Sequence, residues 1–144
     1  MNALLMPKYD QTDIEIGLGD WIKVFLPRLG VWHHGIVRRI DFVGHGYAVQ
    51  VVNNAKGIGI TTSDWHDFRE GQRVLLHKRP SANHVRAIFA RADSNIGKPY
   101  HLFAQNCEHF ASLAFTGKSE SESLQWVGLI AAGILAVGIF ASLN

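Results

Sequence analysis

The chain has a single cysteine, Cys107, and only four prolines in 144 residues. One thiol excludes an internal disulfide framework and a multi-cysteine zinc site. Charge is scarce too, at 18% of residues. The net charge of +2 is small, and Lys and Arg are mixed with Asp and Glu, which argues against nucleic acid as the main partner. At the N-terminus, Pro7 and Lys8 break the sequence before any long apolar run, so a cleaved secretory signal is not expected. There are no internal repeats and no low-complexity segment, and the length suits one domain.

Charge is absent altogether after Glu122, and there the chain has its one long hydrophobic run. Leu124 to Leu143, LQWVGLIAAGILAVGIFASL, is 20 residues without a charged side chain. As a helix rising ~1.5 Å per residue it would span roughly 30 Å, the hydrocarbon thickness of a bilayer. Trp126 falls near one end, where an interfacial indole would sit. A buried core helix is the alternative, but such helices are shorter and amphipathic. Gly128, Ala132 and Ala136 form a small-residue stripe that would permit self-association of two such helices. The segment reads as a single-pass tail anchor, with the preceding domain on one side of the membrane, the cytoplasmic one. The expected organisation is an N-terminal segment (1–16), a domain (17–117), a linker (118–123) and a transmembrane anchor (124–143).

Within the domain the hydrophobic period changes from strand to helix. Residues 21–25, 35–40, 47–52, 58–61 and 74–76 are short β-rich runs, punctuated by Pro27, Gly30, Gly44, Gly46, Asn53–Asn54 and Gly71. The connections are too short for helical crossovers, so the sheet should be antiparallel. Residues 63–68 read as a short helix capped by Ser63. Beyond Pro80, Val85, Ile88, Phe89, Ala92 and Ile96 recur at helical spacing, and Gly97 and Pro99 end that helix. A last helix should begin after Asn106 and stop before Gly117, burying Phe110, Ala111, Ala114 and Phe115. Strands first and helices later define an α+β domain. Residues 69–98 carry seven Lys or Arg against Glu70 and Asp93; this excess reads as a solvated face, with anionic lipid headgroups as the alternative contact.

Asn106 is a favoured N-cap, and it places Cys107 in the first turn of the last helix. Unpaired backbone N–H groups and the helix dipole there favour the thiolate, the nucleophilic form. An inert buried cysteine is the competing reading. A nucleophilic thiol needs an imidazole to hold its proton. His109 is two residues away on the same helix and faces elsewhere. Trp32-His33-His34-Gly35-Ile36-Val37 is the better source: alternation puts His33 on the face of Gly35 and Val37, and His34 on the face of Ile36. Only one of the pair can meet the thiol. His33 is preferred because small Gly35 beside it leaves room, and His34 is the alternative base. The same alternation argues against a metal site at the pair. Gln50, in mid-strand, is the candidate to orient the imidazole, whereas His45 sits at a Gly-flanked turn tip facing solvent.

Three strings in order, Gly19-Asp20-Trp21-Ile22-Lys23-Val24, His33-His34-Gly35-Ile36-Val37 and Asn106-Cys107-Glu108-His109-Phe110, resemble the lecithin:retinol acyltransferase family. That family includes phospholipase A and acyltransferase enzymes and belongs to the NlpC-like branch of papain-like thiol hydrolases. The resemblance covers roughly Gly17 to Gly117 and implies a circularly permuted papain-like fold, an antiparallel sheet packed on the helix carrying Cys107. It implies Cys107 as nucleophile and His33 as base; backbone N–H groups at the helix start, including that of Cys107, would stabilise the oxyanion, with Asn106 positioning that turn. Family members usually carry a second histidine on the following strand, where this chain has Gln50. The implied activity is a membrane-anchored thiol acyl hydrolase or acyltransferase. It would act on phospholipid esters, with water, an amine or an alcohol as acyl acceptor and no metal or organic cofactor. The rival readings are an NlpC-like peptidase or amidase, and a non-catalytic, membrane-tethered protein-binding module.

Overall fold

A computed structural model describes residues 4–5, 15–44, 46–99 and 106–119. The expected anchor 124–143, most of the linker, most of the N-terminal segment and His45 lie outside the described residues. Among the described residues no helix is long and apolar enough to cross a membrane.

Among the described residues, seven strands and three α-helices follow in the order β1 (Leu4–Leu5), β2 (Glu15–Ile16), β3 (Trp21–Leu26), β4 (Val31–Phe42), β5 (Tyr47–Ala55), β6 (Gly59–Asp64), α1 (Trp65–Arg69), β7 (Val74–Lys78), α2 (Val85–Asn95) and α3 (Cys107–Thr116). β1 and β2 form a two-stranded ribbon, and the other five strands make one antiparallel sheet in the order β6-β5-β4-β3-β7. The domain is α+β, as the change of period requires.

Two boundaries differ from the sequence reading. β5 runs through Asn53 and Asn54, which are buried strand residues and not turn punctuation. Helix α1 is capped by Asp64, whose Oδ1 accepts the Asp67 N–H at 2.9 Å, and not by Ser63. Ser63 is instead paired with Val51 in the β5–β6 ladder, and its Oγ accepts from Asn53 Nδ2 at 2.9 Å.

Strand alternation sends side chains into two separate cores. On one face, which we term the α1 face, Ile22, Val24, Val37, Val49 and Val51 pack with Trp65 and Phe68. On the opposite face Trp21, Ile36, Val52 and Ile60 pack with Ile88 and Ala92 of α2 and Phe110, Ala111 and Ala114 of α3. Gly35 is required by packing on the α1 face, because a Cβ there would stand 2.4 Å from Val51 Cγ1 and 2.8 Å from Phe68 Cε2. Arg91 of α2 ties the two long helices together. Its guanidinium donates to the carbonyls of Ala114 (2.8 Å) and Phe115 (3.0 Å), which the end of α3 would otherwise leave unpaired.

The start of β3 is fixed by Asp20, almost fully buried, which accepts from Arg79 at 3.0 and 2.7 Å and from the Gly17 N–H at 2.7 Å. This clamp seats the next residue, Trp21. At the other margin of the sheet, Ile60 N–H donates to Lys98 O (2.9 Å) and Gly97 N–H to Ile60 O (2.8 Å), pinning the segment after α2 along β6. Gly59 admits that approach, with φ +97° and a hypothetical Cβ 2.3 Å from Lys98 O.

Candidate active site

Asn106 caps α3 as expected: its side-chain oxygen accepts the His109 N–H at 2.8 Å, fixing the first turn. Cys107 is the first residue of that helix and is half-buried. Its S–H donates to the Trp32 carbonyl at 3.4 Å, which sets the thiol against β4 beside both histidines.

The expected alternation along β4 holds, but the helix that bears Cys107 packs on the face opposite to that of His33. His33 shares the α1 face with Val37, and its ring stands 5.1 Å from that of Phe68. The space beside Gly35 is filled by Phe68 and Val51 and holds no sulfur. His34, alternating with Ile36, shares the α3 face with the helix that bears Cys107. The two imidazoles therefore have different neighbours.

His34 is only 5% exposed, and its Nδ1 accepts the Trp21 indole N–H at 2.9 Å. Neutral His34 therefore carries its proton on Nε2. His77 of β7 completes an aromatic corner, with ring centroids 4.4 Å from Trp21 and 5.7 Å from His34. Burial drives the His34 pKa down to about 4; the Glu108 carboxylate opposes this, and His77, Lys23 and His33 add to it. His33 is also held below the usual histidine value by burial, against a hydrogen bond with the Asn53 side chain and the Glu70 carboxylate.

The Cys107 thiol is pushed above its ordinary range, contrary to the expectation from its helix position. Burial is the main cause, and the Glu108 carboxylate adds to it. The backbone N–H groups of His34, Glu108 and Cys107 pull the other way and do not prevail. The dipole argument holds for an exposed helix start; here the sulfur has left water for the strand backbone. Burial thus favours the thiol form of Cys107 and the neutral imidazoles of His33 and His34.

Gln50 does not reach these residues. It pairs with Arg39, and His33 lies six residues back along β4. At ~3.3 Å per residue that is roughly 20 Å. Gln50 instead lines an open groove with Leu18, Arg38, Arg39, Ile40, Phe89 and Asp93. The long β4–β5 hairpin is the reason: its register brings Gly35 opposite Asn53, so the amides near the histidines are Asn53 and Asn54. Asn53 lies on the His33 side of the sheet and Asn54 on the His34 side, each 1% exposed. Two amides in a run of buried strand residues were the available signal. Among the described residues no group of three or more potential ligands is arranged to hold a metal.

The α+β domain thus sets a half-buried thiol, on the first turn of a helix, beside the strand that bears two histidines. The family model described as Lecithin retinol acyltransferase matches residues 14–120, and the chain belongs to that family. Comparison with curated proteins finds none that matches.

Proposed function

We propose that the protein is a membrane-anchored thiol acyl hydrolase or acyltransferase that takes an acyl group from a phospholipid ester onto Cys107. One observation carries the reading: the Cys107 thiol is seated 3.4 Å from the Trp32 carbonyl, on the strand that bears both histidines. Acyl-transfer and phospholipase chemistry is what membership of the family implies.

In this mechanism an imidazole of β4 takes the S–H proton as sulfur attacks the ester carbonyl carbon. His34 is the base in the first reading, because it shares the sheet face on which the helix bearing Cys107 packs. Its Nδ1 must then be released from the Trp21 indole. The backbone N–H of Cys107, at the helix start, stabilises the oxyanion, and Asn106 holds that turn in place. The carbon–oxygen bond of the ester breaks, the imidazolium protonates the leaving alkoxide, and a thioester remains. Water, an amine or an alcohol then attacks the thioester, and the thiol is restored. A second reading keeps His33 as the base. It is supported by the His33–Asn53 hydrogen bond, an imidazole–amide pair in which Asn53 does what was expected of Gln50.

The segment 124–143 is the anchor in this reading and holds the catalytic domain at the cytoplasmic surface, where its substrate resides; its small-residue stripe supplies a self-association face. Intact-protein mass spectrometry tests the chemistry after incubation with a total lipid extract or, in parallel, a peptide library. An acyl adduct on Cys107 that hydroxylamine removes is the expected result. Adducts from peptides alone would make the protein a peptidase, and none from either source would make it a binding module.

A further inference from the structure

The β3–β4 hairpin ends in a cluster of side chains that no core absorbs. Phe25 (41% exposed), Leu29 (53%), Val31 (47%) and Trp32 (41%) all project there. Phe25 and Trp32 are direct cross-strand partners, and their rings meet edge-on with centroids 5.4 Å apart. Exposed apolar side chains gathered at one end of the sheet suit an interaction surface.

Its cations are Lys23 and Arg28: from Trp21 to Trp32 the sequence has no acidic residue, while Arg38 and Arg39, farther along β4, are paired with Asp93 and Asp41. Lys23 lies over the Trp32 ring, 4.8 Å from its centroid, and Arg28 occupies the turn itself. Aromatic and aliphatic side chains interleaved with cations suit an interface that is apolar below and anionic above.

The location gives the patch its purpose. Lys23, Phe25 and Trp32 alternate onto the same sheet face as His34, and the Trp32 carbonyl is the group that receives the Cys107 S–H. We propose that the β3–β4 hairpin tip is a docking surface for an anionic lipid bilayer, seating the domain so that Cys107 faces the interface. This rests on the lipid-ester reading above and adds to it a second, domain-borne contact with the membrane, distinct from the tail. The contact shortens the path of an ester carbonyl from the headgroup region to the sulfur.

Trp32 itself reports the contact. Trp21 and Trp65 are buried, at 3% and 5% exposure, so Trp126→Phe leaves Trp32 as the accessible indole of the full chain. In vesicles containing phosphatidylserine, lipids brominated on the acyl chain should quench Trp32. Phosphatidylcholine vesicles should quench it less, and Arg28→Glu or Leu29→Ser should remove most of the effect. On such vesicles Arg28→Glu should lower ester turnover roughly tenfold, the scale expected for reversing one basic charge at an anionic surface. Turnover of a short soluble ester should hold, because the thiol and both histidines are untouched. Turnover of both esters with Trp32 unquenched in either vesicle overturns the proposal. So does a hairpin tip buried in a dimer, read as a sedimentation change with Leu29→Ser and no quenching. Quenched Trp32 with neither ester cleaved upholds the docking surface and removes the catalytic reading.

Discussion

The indole N–H of Trp21 donates to Nδ1 of His34 over 2.9 Å, and both side chains are buried. A donor aimed at a ring nitrogen stabilises the neutral imidazole and opposes its protonation. Trp21→Phe keeps an aromatic ring in the corner and removes the donor. The His34 pKa should rise from about 4. A lost hydrogen bond worth about 1 kcal/mol corresponds to just under one pH unit. NMR titration of the imidazole protons reads the change directly.

The two histidines should differ in their effect on acylation. If His34 is the base, His34→Ala lowers the rate of Cys107 acylation by 10²-fold or more, the scale of a general base. His33→Ala should then be mild. The reverse order, with Asn53→Ala matching His33→Ala, assigns the role to the His33–Asn53 pair.

Alkylation of the free protein should be slow at neutral pH, because burial and the Glu108 carboxylate hold Cys107 as the thiol. The iodoacetamide rate should climb with a midpoint above that of an ordinary cysteine. Glu108→Gln removes the negative charge and should shift that midpoint down. An ordinary or lower midpoint in the wild type would mean that the helix start dominates after all.

Acid should destabilise the fold before carboxylates titrate widely. Unfolded His34 binds a proton below about pH 6.5, whereas the folded residue resists until about pH 4. Between those values the unfolded state holds more protons, so stability falls as pH falls. The loss amounts to roughly 3 kcal/mol at most, and His33, depressed in the same direction, adds to it. Urea unfolding at pH 7, 6, 5 and 4 measures it, and His34→Phe should flatten the dependence.

Local pattern made much of this legible. The change from period 2 to period 3.6 gave the sheet and the helices in order, and Asn106 announced the turn bearing Cys107. Alternation sorted His33 from His34 correctly. What alternation could not supply was the face on which α3 lands, because that depends on how helices pack across a sheet and not on any spacing within β4. Gln50 failed for a related reason. Hairpin register is set by the turn and by the shift between Val37 and Arg39, so a residue can sit in mid-strand and still be distant from the site. Asn53 and Asn54 looked like a turn because asparagine usually is one. Tertiary burial overruled that propensity, as it overruled the helix dipole at Cys107.

The segment pinned along β6 bears on how many copies can share a surface. Unpaired strand edges are templates on which other chains add. Ile60 offers no such template: its N–H is already committed to Lys98, and its carbonyl to Gly97. A neighbour arriving edge-on at β6 must first displace this short piece of its own chain, which the tight approach at Gly59 resists. Mutations that loosen Gly97 or enlarge Gly59 should therefore appear first as edge-on aggregation of copies through β6.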